Sequence, residues 1–405
     1  VNLRLTLAAL LLCTLPVAAQ SAPAGGRVVL VLPFENRSGD ASLDWLGESF
    51  PAIINPRLAS AGLFPITRDD RLFALDHLGL PLDFKPSRAT TIRIAQTLDA
   101  DYVISGSFTT SGDASARTLQ ASARLLRVGP LHLEPALTES QPLSHLLDLQ
   151  NILAWDLALS MDPTANITRQ GFIAASAGLQ INAFENYVRG VTDRSPNDAA
   201  RHLASAVQIQ PDYSAALLAL GKVQFSQEHF ELAAATLARI PANDPLALEA
   251  GFYRGLSHFN SANYAAAQQD FAFVSSTIPL PEVINNEGVA FSRQHKDAVA
   301  LFQQAAKADP LDADYRYNLA ASLFRRKDYA AALPEADKSL ALRPNDADAA
   351  ALRSTIAAAL KGTPPPDGFD PLERIRRSYS EAGYRQAAAA LDQIRALQSK
   401  GQKQP

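Results

Sequence analysis

Few residues in this chain are spaced for chemistry. The loop Asn36-Arg37-Ser38-Gly39-Asp40 lies between an expected strand and an expected helix, where an α/β fold can seat an anion on a helix N-terminus. Its Asn, Ser, Gly and Asp are also the residues that build turns and cap helices, and capping is the reading adopted here over ligand binding. Asp44 and Glu48 stand one helical turn apart. Acidic residues early in a helix usually complement its dipole, so a hydrolytic carboxylate pair is not expected. The seven histidines are scattered without ligand spacing, and no metal site is expected. There is no Gly-x4-Gly-Lys-Ser/Thr phosphate loop, no Gly-x-Ser-x-Gly elbow and no His-Glu-x-x-His helix. The chain is therefore read as non-catalytic, with no cofactor.

Composition narrows the partners. The 405 residues are 47% hydrophobic and 19% charged, with a net charge of -4, which suits two or three folded domains. A chain with no basic field has no electrostatic reason to bind nucleic acid or anionic membranes.

The strongest pattern belongs to positioning rather than chemistry. Five alanines are each followed at the same distance by a proline: Ala199 and Pro211, Ala233 and Pro245, Ala267 and Pro279, Ala298 and Pro310, Ala332 and Pro344. Successive prolines are 34, 34, 31 and 34 residues apart. Each alanine fits where a second helix presses on a first. One turn later comes a space-filling residue, Leu203, Leu237, Phe271 or Phe302, with Ala336 the small exception. The proline ends the second helix. First helices carry Leu217-x2-Leu220-Gly221, Gly251-x2-Arg254-Gly255 and Arg316-x2-Leu319-Ala320. Phe230, Tyr264, His295 and Tyr329 precede the alanines by three residues, where they would plug the turn between helices. Asn286-x-Gly288 reaches Ala298 two residues early, so a shortened turn is expected there.

This pattern resembles the tetratricopeptide repeat family, whose period is about 34 residues. The resemblance implies an all-α superhelix with first helices lining a concave groove. From the register, Leu218, Lys222, Phe225, Phe252, Leu256, Phe259, Tyr317, Phe324 and Arg325 are the groove candidates for a protein or peptide partner; burial between repeats is the competing role for each. Asn286 and Asn318, with Lys222 and Arg316, resemble at a different spacing the basic-and-amide clamp with which some family members hold C-terminal carboxylates.

Residues 27–160 have another texture. Val28 to Leu32 reads as a buried strand, Leu43 to Leu58 as a helix, Phe64-Pro65-Ile66 as a strand and Ser87 to Leu98 as a helix. Tyr102 to Phe108 and the alternating Leu119, Ala121, Ala123, Leu125 flank a turn at Gly112-Asp113, and Leu143 to Met161 returns to helix. Val-Leu-Val-Leu-Pro-Phe-Glu-Asn-Arg-Ser-Gly-Asp, Trp45-Leu46-Gly47-Glu48 and Asp99-Ala100-Asp101-Tyr102-Val103-Ile104-Ser105-Gly106 resemble the TolB amino-terminal and FlgO-like cell-envelope domains. That resemblance implies a non-catalytic module of an envelope assembly.

The expected fold class is α+β, an N-terminal α/β sandwich followed by an all-α tetratricopeptide superhelix. Residues 1–19 read as a signal peptide, 27–160 as the sandwich, 180–360 as repeats and 361–370 as a Pro/Gly linker. Residues 371–399 read as a last helical pair, Leu372 to Glu381 and Tyr384 to Leu397. Arg4 precedes an apolar run from Leu5 to Leu15, too short to span a bilayer, and Val17-Ala18-Ala19 suits a signal peptidase. Val1 in place of Met suggests an alternative start codon and a bacterial source. Cys13, the only cysteine, follows leucines rather than the small residues of a lipidation signal. The expectation is an exported, periplasmic or secreted adaptor without a membrane-spanning segment in its mature form. Its groove would recruit a protein while its sandwich docks on an envelope assembly. The alternative is a glycan- or small-ligand-binding envelope protein with the repeats as spacer.

Overall fold

The computed structural model describes residues 27–81, 87–113 and 116–380, together with Gly383, Tyr384 and Ala387. The proposed signal peptide and the helix expected over 384–397, those last two positions aside, lie outside the described residues.

The N-terminal part is a sheet with helices on both faces. Its strands are β1 (Val28–Val31), β2 (Glu35–Asn36), β3 (Phe64–Pro65), β4 (Tyr102–Ser111), β5 (Thr118–Arg127), β6 (His132–Leu133) and β7 (Leu137–Pro142). The order β3-β1-β4-β5-β6 is parallel up to β4 and antiparallel beyond it, with β2 added to β4 and β7 to β5. Alternation decides what each face buries. Ile104, Phe108, Leu119, Ala121, Ala123 and Leu125 turn to one side, under α1 (Leu46–Ser60) and α4 (Leu146–Met161). Leu30, Val103 and Leu126 turn to the other, with Ile66, Ile94 and Ala95, near α2 (Arg68–His77) and α3 (Arg88–Thr97). Strand β7 and helix α2 were not read from the sequence. Helix α2 is mostly polar, buries only Arg71 and Ala74, and is started by the Thr67 side chain accepting from the Asp70 amide.

Helix α5 (Arg169–Ala174) leads into an array of helical hairpins. The first helices are α6 (Ile181–Thr192), α8 (Ser214–Ser226), α10 (Ala247–Asn260), α12 (Pro281–Ser292) and α14 (Ala313–Arg325). Their second helices are α7 (Pro196–Ile209), α9 (Phe230–Leu237), α11 (Tyr264–Thr277), α13 (Val299–Ala308) and α15 (Tyr329–Leu342); α16 (Ala347–Leu360) follows. The opposed small and large residues of the sequence meet here. A Cβ on Gly221 would lie 2.5 Å from Leu237, one on Gly255 2.7 Å from Phe271, and one on Gly288 2.9 Å from Phe302. Where the filler shrinks to Ala336, the first-helix position is Ala320 instead of glycine, and both are fully packed.

The turn rings behave as read in three hairpins: Phe230 packs on Phe225, Tyr264 on Phe259 and Tyr329 on Phe324, at 5.6, 5.3 and 5.7 Å between ring centres. The fourth departs. All four hairpins turn through a left-handed residue, Glu228, Ala262, His295 or Lys327, with φ near +60°. His295 is therefore a turn residue and not a ring plug. The missing pair of residues shortens the start of α13, which begins only after Ala298, and leaves the turn intact.

The two parts share a core. Phe184 and Val188 of α6 are fully buried in the same cluster as Phe50 and Ile54 of α1, and Trp45 meets Phe184 edge-on at 6.3 Å. Among the described residues no helix is long and apolar enough to cross a membrane.

Residues 371–380 correct the sequence reading. They hold no helix and run irregularly, after a Pro/Gly stretch in which Gly362 and Gly368 adopt positive φ. The physical reason lies in what their backbone bonds to.

Candidate functional site

Residues Phe369 to Ser380 form a strap laid across the first helices of the array. Three side-chain amides, each fully buried, hold its main chain: Asn285 and Asn286 on α12 and Asn318 on α14. Asn318 accepts from the Arg374 N–H at 2.8 Å through Oδ1 and donates to the Arg374 carbonyl at 2.8 Å through Nδ2. Asn286 does the same for Arg376, at 2.7 Å in each direction. Asn285 adds a second donor to the Arg374 carbonyl at 2.9 Å and accepts from Asn318 at 2.7 Å. Asn318 and Asn286 thus each imitate a neighbouring strand. The two clamped residues are two apart, as required for both to present N–H and C=O to the same edge of an extended chain. A helix over 372–380 loses to this arrangement, because the amides supply the bonds that helix formation would have supplied.

The strap's side chains enter pockets of opposite charge. The Glu373 carboxylate is fully buried and takes bonds from Ser292, Arg293 (2.9 Å) and Arg325. Arg325 also reaches Asp370 at 2.8 Å and the Pro371 carbonyl. One step on, Arg374 forms a two-pronged pair with Asp346 at 2.5 and 2.7 Å, bonds Asp314 at 2.9 Å, and stacks 3.9 Å over the Tyr317 ring. Arg376 pairs with Asp312 and, at 3.1 Å, Asp314, and lies 5.0 Å over Tyr315. Aromatic contacts fix the two ends: Phe369 edge-on to Phe324 at 5.6 Å, and Tyr379 edge-on to Phe252 at 5.0 Å.

This charge arrangement shifts the protonation equilibria. The hydrogen bond from Arg374 is the main reason the Asp346 carboxyl titrates at about 2. Burial opposes the charge on Arg374, but its bonds to Asp346 and Asp314 outweigh that and hold its pKa above the usual range. Burial pushes the Tyr317 hydroxyl up to about 12, against the nearby Arg374 charge.

The nine groove candidates divide. Phe252, Tyr317, Phe324 and Arg325 touch the strap. Leu218 and Leu256 are buried in the clusters between repeats. Phe225 leans on Phe230 of its own hairpin and on Tyr253 of the next, and Phe259 on Tyr264 of its own. Lys222 bonds Asp69 of α2 at 2.8 Å and Glu249 at 3.1 Å, and so ties the array to the sheet domain. Burial opposes its charge, but the electrostatic pull of Glu249, Tyr253 and Asp69 together holds it protonated. The clamp expected from Asn286, Asn318, Lys222 and Arg316 is half present. Both asparagines clamp main chain, whereas Arg316 pairs with Glu335 at 3.0 Å and Lys222 points elsewhere. Sequence reading missed Asn285, Arg293, Asp312, Asp314 and Asp346, and the strap itself. The available signal was that Asn286 and Asn318 each stand two residues before the small first-helix position.

A second concavity of about 1120 Å³ lies in the sheet domain, beside Arg68, Arg71, Arg88 and Arg124. Arg71 is occupied by Glu48 and, at 3.0 Å, the Val31 carbonyl, while the buried Nε of Arg68 has no hydrogen-bond partner among the described residues. Gly47 packs its backbone against the Phe34 carbonyl there, where a Cβ would sit 2.7 Å away. In the loop at 36–40, Asp40 accepts from the Ser42 amide at the start of a short 3-10 turn and pairs with Arg117 at 2.8 Å, as a capping role requires. Among the described residues no group of three or more His, Cys, Asp or Glu is arranged to hold a metal.

Family models agree with the helical geometry. Tetratricopeptide repeat family models match residues 192–250 and 290–347. No curated protein sequence matches the chain. Among solved structures, MamA residues 41 to end from Desulfovibrio magneticus RS-1 is similar over 42% of this chain and all of its own length, at 18% identity and a TM-score of 0.39. The LpoB C-terminal domain from Salmonella enterica is similar over 29% of this chain and 83% of its own, at 24% identity and a TM-score of 0.23. Residues 192–250 and 290–347 of the array thus match tetratricopeptide repeats, and the inner face of the array is lined by the strap.

Proposed function

We propose that this chain is a non-catalytic protein-interaction scaffold whose repeat trough binds an extended polypeptide, with the strap as its resident occupant. One observation carries the reading: buried asparagines on two neighbouring first helices grip main-chain N–H and C=O groups of residues two apart. Main-chain recognition of this kind serves any extended segment, and side-chain pockets then add selectivity. A linker with two positive-φ glycines, Gly362 and Gly368, joins α16 to the strap. A partner segment would bind by displacing the strap, which competes as a tethered ligand at an effective concentration of about 1 mM.

The sheet domain is the docking module in this scheme; its sequence resemblance to envelope domains and the signal-like first residues support a role in the cell envelope. It shares a core with α6, so docking would present the trough in a fixed orientation.

A protease site placed between Lys361 and Gly368 of the full chain tests the trough. After cleavage the strap should stay associated through size exclusion, and excess synthetic peptide of residues 366–380 should exchange it out while the circular-dichroism spectrum stays unchanged. A strap that cannot be exchanged without loss of helix would show that it is part of the fold and not an occupant.

A further inference from the structure

The strap reveals what the trough selects. Two charge pockets lie side by side, and neither is neutral when empty. Arg293 and Arg325 converge with Ser292 on one point, which Glu373 fills with a carboxylate of no solvent exposure. Two guanidinium groups brought to one buried point repel each other unless an anion sits between them. Asp312, Asp314 and Asp346 gather at the adjoining point, where Arg343 is the array's own cation, 2.7 Å from Asp314 and 3.5 Å from Asp346. The strap supplies two more cations there, Arg374 and Arg376. The asparagine clamps fix the register between the pockets, since Arg374 and Arg376 are the residues whose main chain is held.

We infer that the trough is built for a partner segment bound in extended form that carries an acidic residue followed by arginine at the first and third positions after it, in register with Glu373, Arg374 and Arg376. This rests on the reading of the trough as a polypeptide site and adds the rule by which it chooses. Arginine rather than lysine is required at the first of these positions. Its planar fork makes the two-pronged bond to Asp346 and stacks on Tyr317, and a compact ammonium does neither. Residues in register with Leu372 and Arg377 are free to vary, because those side chains face solvent. A segment that is basic at the Glu373 position or acidic at the Arg374 position meets repulsion in the corresponding pocket and is rejected.

The test uses the full chain with Glu373→Lys and Arg374→Glu together. These reverse the strap's own charges and release it, while every trough residue stays intact. An unchanged circular-dichroism spectrum and a cooperative melt, at a temperature lowered by loss of the tethered strap, establish that the array is folded. Fluorescein-labelled peptides of residues 366–380 are then titrated by anisotropy. The native peptide should bind. Its Glu373→Gln form should bind at least about 30-fold more weakly, because two buried guanidinium groups lose their anion, and its Arg374→Lys form roughly tenfold more weakly. Changing Asp346→Asn in the protein should remove most of the penalty of Arg374→Lys, because the pair is then already broken. If the folded protein binds none of the peptides, the trough is not a polypeptide site and the reading beneath this inference fails. If it binds native, Gln and Lys forms within threefold of one another, the trough binds polypeptide without the charge rule, and this inference alone is overturned.

Discussion

Asn318→Ala separates a clamp on a ligand from an ordinary buried polar residue. With the strap docked, Asn318 is fully buried and makes three hydrogen bonds. Its removal leaves two groups without partners. The Arg374 N–H loses its acceptor, and Asn285 Oδ1 loses its donor. The Arg374 carbonyl is spared, because Asn285 still donates to it at 2.9 Å. Each orphaned group costs roughly 1–1.5 kcal/mol once buried. Docking should therefore weaken by about 2–3 kcal/mol, or roughly 30- to 150-fold. With the strap away, water reaches both groups and the cost vanishes, while alanine is slightly the better residue in the middle of α14. The loss should fall on docking and not on the fold. Hydrogen exchange followed by mass spectrometry reads both at once. Strap amides at Arg374 and Arg376 should exchange faster by about the factor given, and amides in the middle of α12 and α14 should change by less than about threefold. Equal loss of protection in strap and helices would make Asn318 a structural core residue. Unchanged strap protection would remove the clamp argument altogether.

Acid should loosen the strap through Asp346. The carboxyl titrates at about 2 when Arg374 holds it, against an ordinary 3.8. A depressed value means the contribution is complete above about pH 4 and is lost as pH falls through 2. Allowing for solvent screening, the pair contributes about one pKa unit's worth, so pepsin nicking of the strap should rise roughly tenfold from pH 4 to pH 2, relative to an unfolded control peptide. In Asp346→Asn the extra rise should disappear, and its persistence would point to another acidic group. Fractionation of cells producing the full chain from Val1 should recover it in the periplasm, shortened near Gln20. Recovery of unshortened protein in the cytoplasm would remove the export proposal.

Much of the architecture was legible in residue spacing. The repeat of alanine and proline places each hairpin, and the pairing of glycine with a large filler, or alanine with alanine, states how closely helices pack. These signals survive in sequence because both partners of each contact lie within one hairpin, and steric fit at short range leaves little choice of residue. The alternating Leu119, Ala121, Ala123 and Leu125 are likewise explicit, since a strand buried on one face must alternate. Helix α2 was less so: only Arg71 and Ala74 are buried, and an amphipathic period needs more than two inward positions.

The strap was not legible, and the reason is physical. Leu372, Ile375 and Tyr379 fall at helical spacing, so local pattern favours a helix. Yet the hydrogen bonds that decide its conformation come from Asn285, Asn286 and Asn318, between 56 and 90 residues away along the chain. The groove candidates divide for the same reason. A first-helix aromatic such as Phe225 or Phe259 can serve its own hairpin or face the trough, and sequence position is the same in both cases. Composition and periodicity determined that this chain stacks hairpins beside an α/β sheet. Only the folded trough, by bringing two arginines to one point and three aspartates to the next, decided which segment it holds.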